Sequence, residues 1–422
     1  METIIIILFC VGYLIIALEH SIEINKTATA LVTGVLCWTV YILNNDAHIV
    51  TEQLFEQLGE TSGILFFLMG AMTIVELIDS HNGFEIINRA ITTKNIRTLL
   101  WIICIVSFFL SAVLDNLTTT IVMVTLCAKL IRHAQQRLLF IGMIIIAANA
   151  GGSWSPIGDV TTTMLWIGGQ ISTTAIIAKL FIPSLVCLFV PLTIATFQLK
   201  NDRQLQEAGS NAAMLNSSRS PDQRLIFFSG IAVLLLVPAF KTLTHLPPFM
   251  GMLLGLGFLW ILTELIHRNK NEEERQKLSV IHALERMDVP SVLFFLGILL
   301  AVGALHYAGQ LSNLAGALTN TFDNDKIILT IIGIASAVVD NVPIVAATIA
   351  MYPLDSYPLD HSFWHLLAFC AGTGGSLLVI GSAAGVAAMG LENISFGWYV
   401  KRISWLALIG YFAGIATFIF QE

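Results

Sequence analysis

Ser111-Ala112-Val113-Leu114-Asp115-Asn116-Leu117-Thr118-Thr119 and Ser336-Ala337-Val338-Val339-Asp340-Asn341-Val342-Pro343-Ile344 are two spellings of one phrase, and each interrupts a long apolar stretch. An ionisable residue at membrane depth is costly, so it marks a functional site by default. Two of them in matching frames point to one site assembled from two halves. The repetition reaches further. Leu65-Phe66-Phe67-Leu68 recurs as Leu293-Phe294-Phe295-Leu296. Gly151-Gly152-Ser153-Trp154-Ser155-Pro156-Ile157-Gly158-Asp159 recurs as Gly374-Gly375-Ser376-Leu377-Leu378-Val379-Ile380-Gly381-Ser382. The three landmarks keep their order and nearly their spacing. Internal repeats of this kind are a signature of transporter folds.

Composition agrees. Hydrophobic residues make up 56% of 422 residues and charged residues 12%, and mean hydropathy is +0.81. Soluble domains carry roughly twice that charge fraction, about 25%. The chain reads as an all-α polytopic membrane protein. Its partner is the lipid bilayer, and no basic run suggests nucleic acid. The apolar run from Thr3 to Leu18 has no basic flank and no small-residue cleavage site, so it is expected to be a retained span. The six cysteines lie within apolar segments without metal-ligand spacing and read as small buried hydrophobes. No Gly-x-Ser-x-Gly or His-Glu-x-x-His pattern appears, so an enzyme is not expected and no cofactor is implied.

Each half reads alike. Spans are expected near 3–18, 28–44 and 62–79, then a stretch at 99–131 broken by the acid motif. A span at 138–168 broken by the Gly-rich motif and a last span at 175–197 complete the half. The second half has spans near 225–240, 249–266 and 289–306, a broken stretch at 326–351, a broken span at 363–391 and a last span at 400–420. If the acid-containing stretches are re-entrant hairpins, one face holds 19–26, 81–98, 129–137, 198–224, 267–288 and 392–402. That face carries all of the 21 Lys and Arg residues except Lys179, Lys241 and Lys326. The positive-inside rule makes it cytoplasmic and puts both termini outside. Five full spans per half is an odd number, so the two repeats have inverted topology. Each then consists of five transmembrane helices plus one hairpin, with the two tips meeting near the midplane.

Irregular backbone at membrane depth is tolerated only where protein buries it or where it lines a cavity. Gly151-Gly152 and Gly374-Gly375 are expected to supply positive φ angles at the breaks, and Pro156 removes a donor. Oxygen-bearing side chains surround these breaks. At the first tip they are Asp115, Asn116, Thr118 and Thr119. Around the first broken span they are Asn149, Ser153, Ser155, Asp159 and Thr161. At the second tip they are Ser336, Asp340 and Asn341, with Thr373, Ser376 and Ser382 opposite. Hard cations take such ligands. No Lys or Arg lies in any of the four motifs, which disfavours a multiply charged anion. Na⁺ is placed at Asp115, Asn116, Asp340 and Asn341. A buried carboxylate is neutralised by a proton and recharged by a cation, so the two compete. Asp115 and Asp340 are expected to be the exchanging pair, with Asp159 close by and Glu76 a secondary proton-path residue. Against this stands a purely structural reading, in which the acids cap half-helices and the hydroxyls satisfy freed backbone groups. Asp79 and His81 are expected to be solvated at the interface.

Leu114-Asp115-Asn116-Leu117-Thr118-Thr119, Asn149-Ala150-Gly151-Gly152 and Ser155-Pro156-Ile157-Gly158-Asp159 resemble the motifs of the NhaD-type sodium/proton antiporters. Val339-Asp340-Asn341-Val342-Pro343, Gly372-Thr373-Gly374-Gly375-Ser376 and Glu76-Leu77-Ile78-Asp79-Ser80-His81 fit the same family, and the resemblance covers nearly the whole chain. It implies a homodimer in which a scaffold (1–97 and 225–325) holds an elevator-type transport domain (98–200 and 326–422), joined by a cytoplasmic linker (201–224). It also implies exchange of Na⁺, and often Li⁺, for H⁺ across a bacterial inner membrane by alternating access. The alternative on the same fold is an arsenite carrier or a sodium-coupled carboxylate carrier. The dicarboxylate carriers of that superfamily usually read Ser-Asn-Thr at their hairpin tips, where this chain has acids.

Overall fold

Apolar runs in lipid can satisfy their backbone groups only internally, so helices are the default outcome. The computed structural model is all-helical over the residues it describes, which are 2–91, 93, 95–131, 133–199, 221–322 and 324–422. Most of the expected linker, 201–220, lies outside them. The first half contains α1 (Glu2–Ala17), α2 (Lys26–Ile42), α3 (Ala47–Ser80), α4 (Ile96–Leu114), α5 (Asn116–Leu130), α6 (Ala134–Gly152), α7 (Val160–Ile167) and α8 (Thr173–Gln198). The second contains α9 (Pro221–Thr244), α10 (Pro248–Ile266), α11 (Val289–Tyr307), α12 (Gln310–Thr321), α13 (Asp325–Ala335), α14 (Asn341–Met351), α15 (Ser362–Gly374), α16 (Ala383–Glu392) and α17 (Trp405–Gln421). Among the described residues, eight helical stretches are long and apolar enough to cross a membrane. Helix starts are set by short polar side chains. Asn25, Asp46, Asn95, Ser172 and Asn324 each accept hydrogen bonds from first-turn amides of the helix that follows, the usual role of an N-cap.

Two differences from the sequence-based expectation have physical causes. α3 begins at Ala47, far ahead of the expected 62, because Asp46 caps it and the acidic stretch that follows holds no proline. α12 falls where a loop is expected, after Gly309 turns the chain at φ +74°.

Two groups of helices pack chiefly among themselves. In one, α2 lies against α11 and α1, and α3 lies against α10 and α11. In the other, α4 and α5 both lie along α6, α13 lies along α15, and α8 lies along α17. The halves interlock in the second group. α5 packs on α16 of the other half, and α14 packs on α7. Two of the three basic residues outside the positive face pair locally. Lys241 donates to the Trp166 carbonyl, 2.6 Å away at the carboxyl end of α7, and Lys326 pairs with Glu422.

His81 is not solvated as expected. It follows α3, His267 follows α10, both are buried, and their rings stack 5.1 Å apart. Their Nε2 atoms are 2.8 Å apart, and His81 Nδ1 is 2.8 Å from the Leu77 carbonyl. That carbonyl needs a donor, so His81 carries its proton on Nδ1 and its Nε2 accepts from His267. His81 is then neutral, and a second proton on His267 would sit on a buried Nδ1 that has no hydrogen-bond partner among the described residues. Burial lowers the pKa of each, that of His267 to about 4. An unfolded histidine titrates near 6.5. Between those values the unfolded chain binds more protons, so stability rises with pH. The pair's contribution is complete above about pH 6.5 and is lost as pH falls toward 4. Melting temperature in detergent should therefore drop over that window, and His267→Phe should flatten the drop. An identical slope in the variant would contradict the assignment.

Candidate functional site

Four helices begin inside the second group, and their first residues converge. α5 is preceded by Asp115, α7 by Asp159, α14 by Asp340 and α16 by Ser382. A helix amino end carries a partial positive charge that favours an anionic side chain. Asp115 accepts from the Thr118 backbone N–H at 2.6 Å and from its hydroxyl at 3.1 Å. Asp159 accepts from the Thr161 backbone N–H at 2.9 Å and from its hydroxyl at 3.0 Å. Ser382 accepts from the Gly385 N–H at 3.2 Å. Asp340 differs, because its side chain caps nothing.

Asp159 is the hub. It is 2% exposed. Asn116, at the first tip, donates to its carboxylate at 2.7 Å. Asn341, at the second tip, reaches the same carboxylate at 3.4 and 3.5 Å. Both tips therefore meet on one carboxyl group, and none of these partners is basic. Asn149 closes the network. It accepts from Asn116 at 3.0 Å and donates to Ser376 at 2.8 Å and to Ser382 at 3.0 Å. One connected set of polar side chains thus joins both hairpins and both broken spans.

The other sequence-selected hydroxyls are placed differently. Ser153 donates to the Asn149 carbonyl, Ser155 to that of Ala112, and Thr373 to that of Phe369. Ser336 donates to the carbonyls of Gly333 and Ala371. Those four satisfy backbone oxygens at the breaks. Thr119 and Thr120 carry buried hydroxyl oxygens with no hydrogen-bond partner among the described residues. Glu76 lies apart from the hub, 3.0 Å from Arg286.

The glycines act otherwise than expected. Among the described glycines only Gly169 and Gly309 have positive φ, so the breaks at Gly151-Gly152 and Gly374-Gly375 need no left-handed backbone. Within the four motifs, the positive φ falls instead on Asp115, at +116°. The glycines instead allow backbones to touch. A Cβ on Gly151 would collide with the carbonyl of Phe108, and one on Gly374 with that of Gly333. On Gly158 it would stand 2.7 Å from the Ser111 oxygen, and on Gly381 2.6 Å from that of Ala337. Each first hairpin arm is thereby pressed against the broken span that follows it.

Two cavities approach the site from the basic face. One of about 690 Å³ runs from Glu19, Lys26, Asp79, Lys129 and Arg286 to Thr118. The other, of about 720 Å³, is lined by Tyr13, Glu19, Glu23, Lys26, Asp340 and Asn393. Lys26 is the residue that sequence reasoning missed. It comes from outside the four motifs and brings its Nζ to 3.4 Å from Asp340.

An all-helical membrane protein with interrupted helices around a buried polar centre, entered by cavities from one face, belongs to the class of transporters. Its overall fold is similar to that of the YdaH transporter of Alcanivorax borkumensis, with a TM-score of 0.58 at 12% identity over 94% of this chain and 98% of that one. A family model described as "Citrate transporter" (CitMHS) matches residues 13–362. The chain is 50% identical to sodium/proton antiporter 1 of Arabidopsis thaliana over 98% of its own length and 71% of that protein. Identity to sodium/proton antiporter 2 of the same plant is 47%, covering 98% of both. Identity to the Na⁺/H⁺ antiporter NhaD of Alkalimonas amylolytica is 32%, covering 98% of this chain and 89% of that protein. The chain belongs to the CitMHS family and, within it, to the NhaD-type sodium/proton antiporters.

The glycine contacts generate a test. Gly151→Ala and Gly374→Ala should each cost about 1–3 kcal/mol, as inserted carbons do in tight packing. Gly257→Ala, which would meet nothing within 4 Å, should be neutral or slightly stabilising. Melting in detergent reads all three, and equal effects would contradict the packing account.

Proposed function

We propose that this protein exchanges Na⁺, and also Li⁺, for H⁺ by alternating access, with Asp159, Asp115 and Asp340 holding cation or proton in competition. The observation that carries this reading is the Asp159 carboxylate, 2% exposed and bound, among the described residues, by amide, hydroxyl and backbone donors alone. A carboxylate out of water either takes up a proton or holds a positive partner. Asn116 and Asn149 carry amide oxygens within the same hydrogen-bond network, and Thr119 and Thr120, in the first turns of α5, carry buried hydroxyls without a partner among the described residues. Alkali cations take such hard ligands.

The group of α4–α8 and α13–α17 is the moving body in this proposal, and the group of α1–α3 and α9–α11 is the dimeric scaffold. The halves act as inverted repeats, each contributing one hairpin tip to Asp159. Charge asymmetry supports a cytoplasmic position for the basic face and an outer position for both termini. The proposed setting is the cell inner membrane. The cavities then describe an inward-facing state. A citrate-like substrate, which the family description suggests, would meet three carboxylates here and one lysine already engaged by Asp340.

Proteoliposomes with an acidic lumen test the reading. Addition of NaCl or LiCl should alkalinise the lumen. Asp159→Asn should abolish the response or raise the half-saturating Na⁺ concentration at least tenfold, and Asp115→Asn and Asp340→Asn should weaken it. Folded wild-type protein giving no response to either cation would overturn the proposal.

A further inference from the structure

Asp340 stands at the amino end of α14 yet accepts no hydrogen bond from that helix. The two other acids at the site are engaged by the first turns of their own helices. Asp340 is engaged from outside instead. Lys26 Nζ lies 3.4 Å from its Oδ2, and the two side chains are 24% and 15% exposed. Nothing local to α2 accounts for a lysine there. It is the first residue of the helix, where the partial positive charge of the amino end disfavours a cation. The Lys26 backbone N–H is satisfied separately, by Glu19 at 2.9 Å. Its ammonium lies 4.6 Å from the centre of the Phe294 ring, a cation–π position contributed by α11. The ammonium is therefore held by one group of helices and directed at a carboxylate of the other. Both residues line the larger cavity, so an ion arriving from the basic face reaches this pair directly.

We propose that Lys26 is a built-in counter-ion of Asp340 and that a transported Na⁺ displaces it. A Na⁺ bound at Asp340 and the Lys26 ammonium would share one negative charge and repel each other at close range, so the two compete. The pair is long and partly open to water, which makes it a weak competitor. The consequence is a lowered Na⁺ affinity on this face, which favours release over retention. Lys26 is thus a positioning residue for Asp340, not a ligand of the transported ion. This inference rests on the antiporter reading and adds a specific residue to it.

Everted membrane vesicles present the basic face to the medium and test the competition. Lys26→Gln should lower the apparent KM for Na⁺ at least threefold, because the ion then binds on this face without a competitor. Lys26→Arg should keep it near wild type. A KM that is unchanged or raised in Lys26→Gln, with wild-type flux intact, overturns the role of Lys26 and leaves the antiporter reading standing. Loss of Na⁺-driven flux in the wild type removes both. A second measurement needs no variant to fold. Amine acetylation of wild-type protein, read at Lys26 by mass spectrometry, should rise when NaCl replaces choline chloride at equal ionic strength. Identical labelling in the two salts overturns the proposal.

Discussion

A single carboxylate held out of water by amides from opposite halves of the chain is the constraint on which the rest depends. Asp159 cannot be solvated where it stands, and its partners carry no positive charge. Such a group is costly unless each lone pair finds a donor or a cation. The interrupted helices follow from that requirement. Only where helices stop do backbone N–H groups become free to face a carboxylate. The glycines at Gly151, Gly158, Gly374 and Gly381 then let the hairpin backbones come near enough for Asn116 and Asn341 to reach it. Packing without Cβ atoms and polar satisfaction are two sides of one arrangement.

The two acid motifs match in sequence but not in surroundings. Asn116 and Asn341 occupy matching positions and touch the same group. Asp159 has Ser382 as its counterpart, and that hydroxyl accepts from Asn149 where a second acid would repel the first. Asp115 sits at a left-handed backbone position and binds its own helix. Asp340 has ordinary backbone geometry and turns to Lys26. These differences put the three acids in three different environments.

Much of the fold was legible because the apolar runs, their breaks and the basic loops are strong signals in a membrane chain. The helices on either side of each acid motif and of each Gly-rich motif fall within a few residues of their expected positions. The long reach of α3 was hidden because its acidic first turns read as loop by charge, although Asp46 is a good cap. The polar residues at depth were also legible, but not how they meet. The sequence sets Asp159 beside an Asp115–Asp340 pair, whereas it is the carboxylate that Asn116 and Asn341 both touch. Sequence shows which residues are polar at depth and cannot show which of them converge. The role of the glycines is hidden in the sequence for a related reason. A Gly-Gly pair signals either left-handed backbone or close approach, and only the neighbouring carbonyls distinguish the two. Lys26 carried one faint signal, a cation at the first position of a helix, where the dipole opposes it.

Calorimetric titration of the purified protein with NaCl, in buffers of different ionisation enthalpy, tests the central claim most directly. If cation and proton share the carboxylates around Asp159, Na⁺ binding must release protons, and the observed heat must change with the buffer. Asp159→Asn should remove most of that buffer dependence. Na⁺ binding whose heat is the same in every buffer would mean that no proton leaves, and the competition account would be wrong.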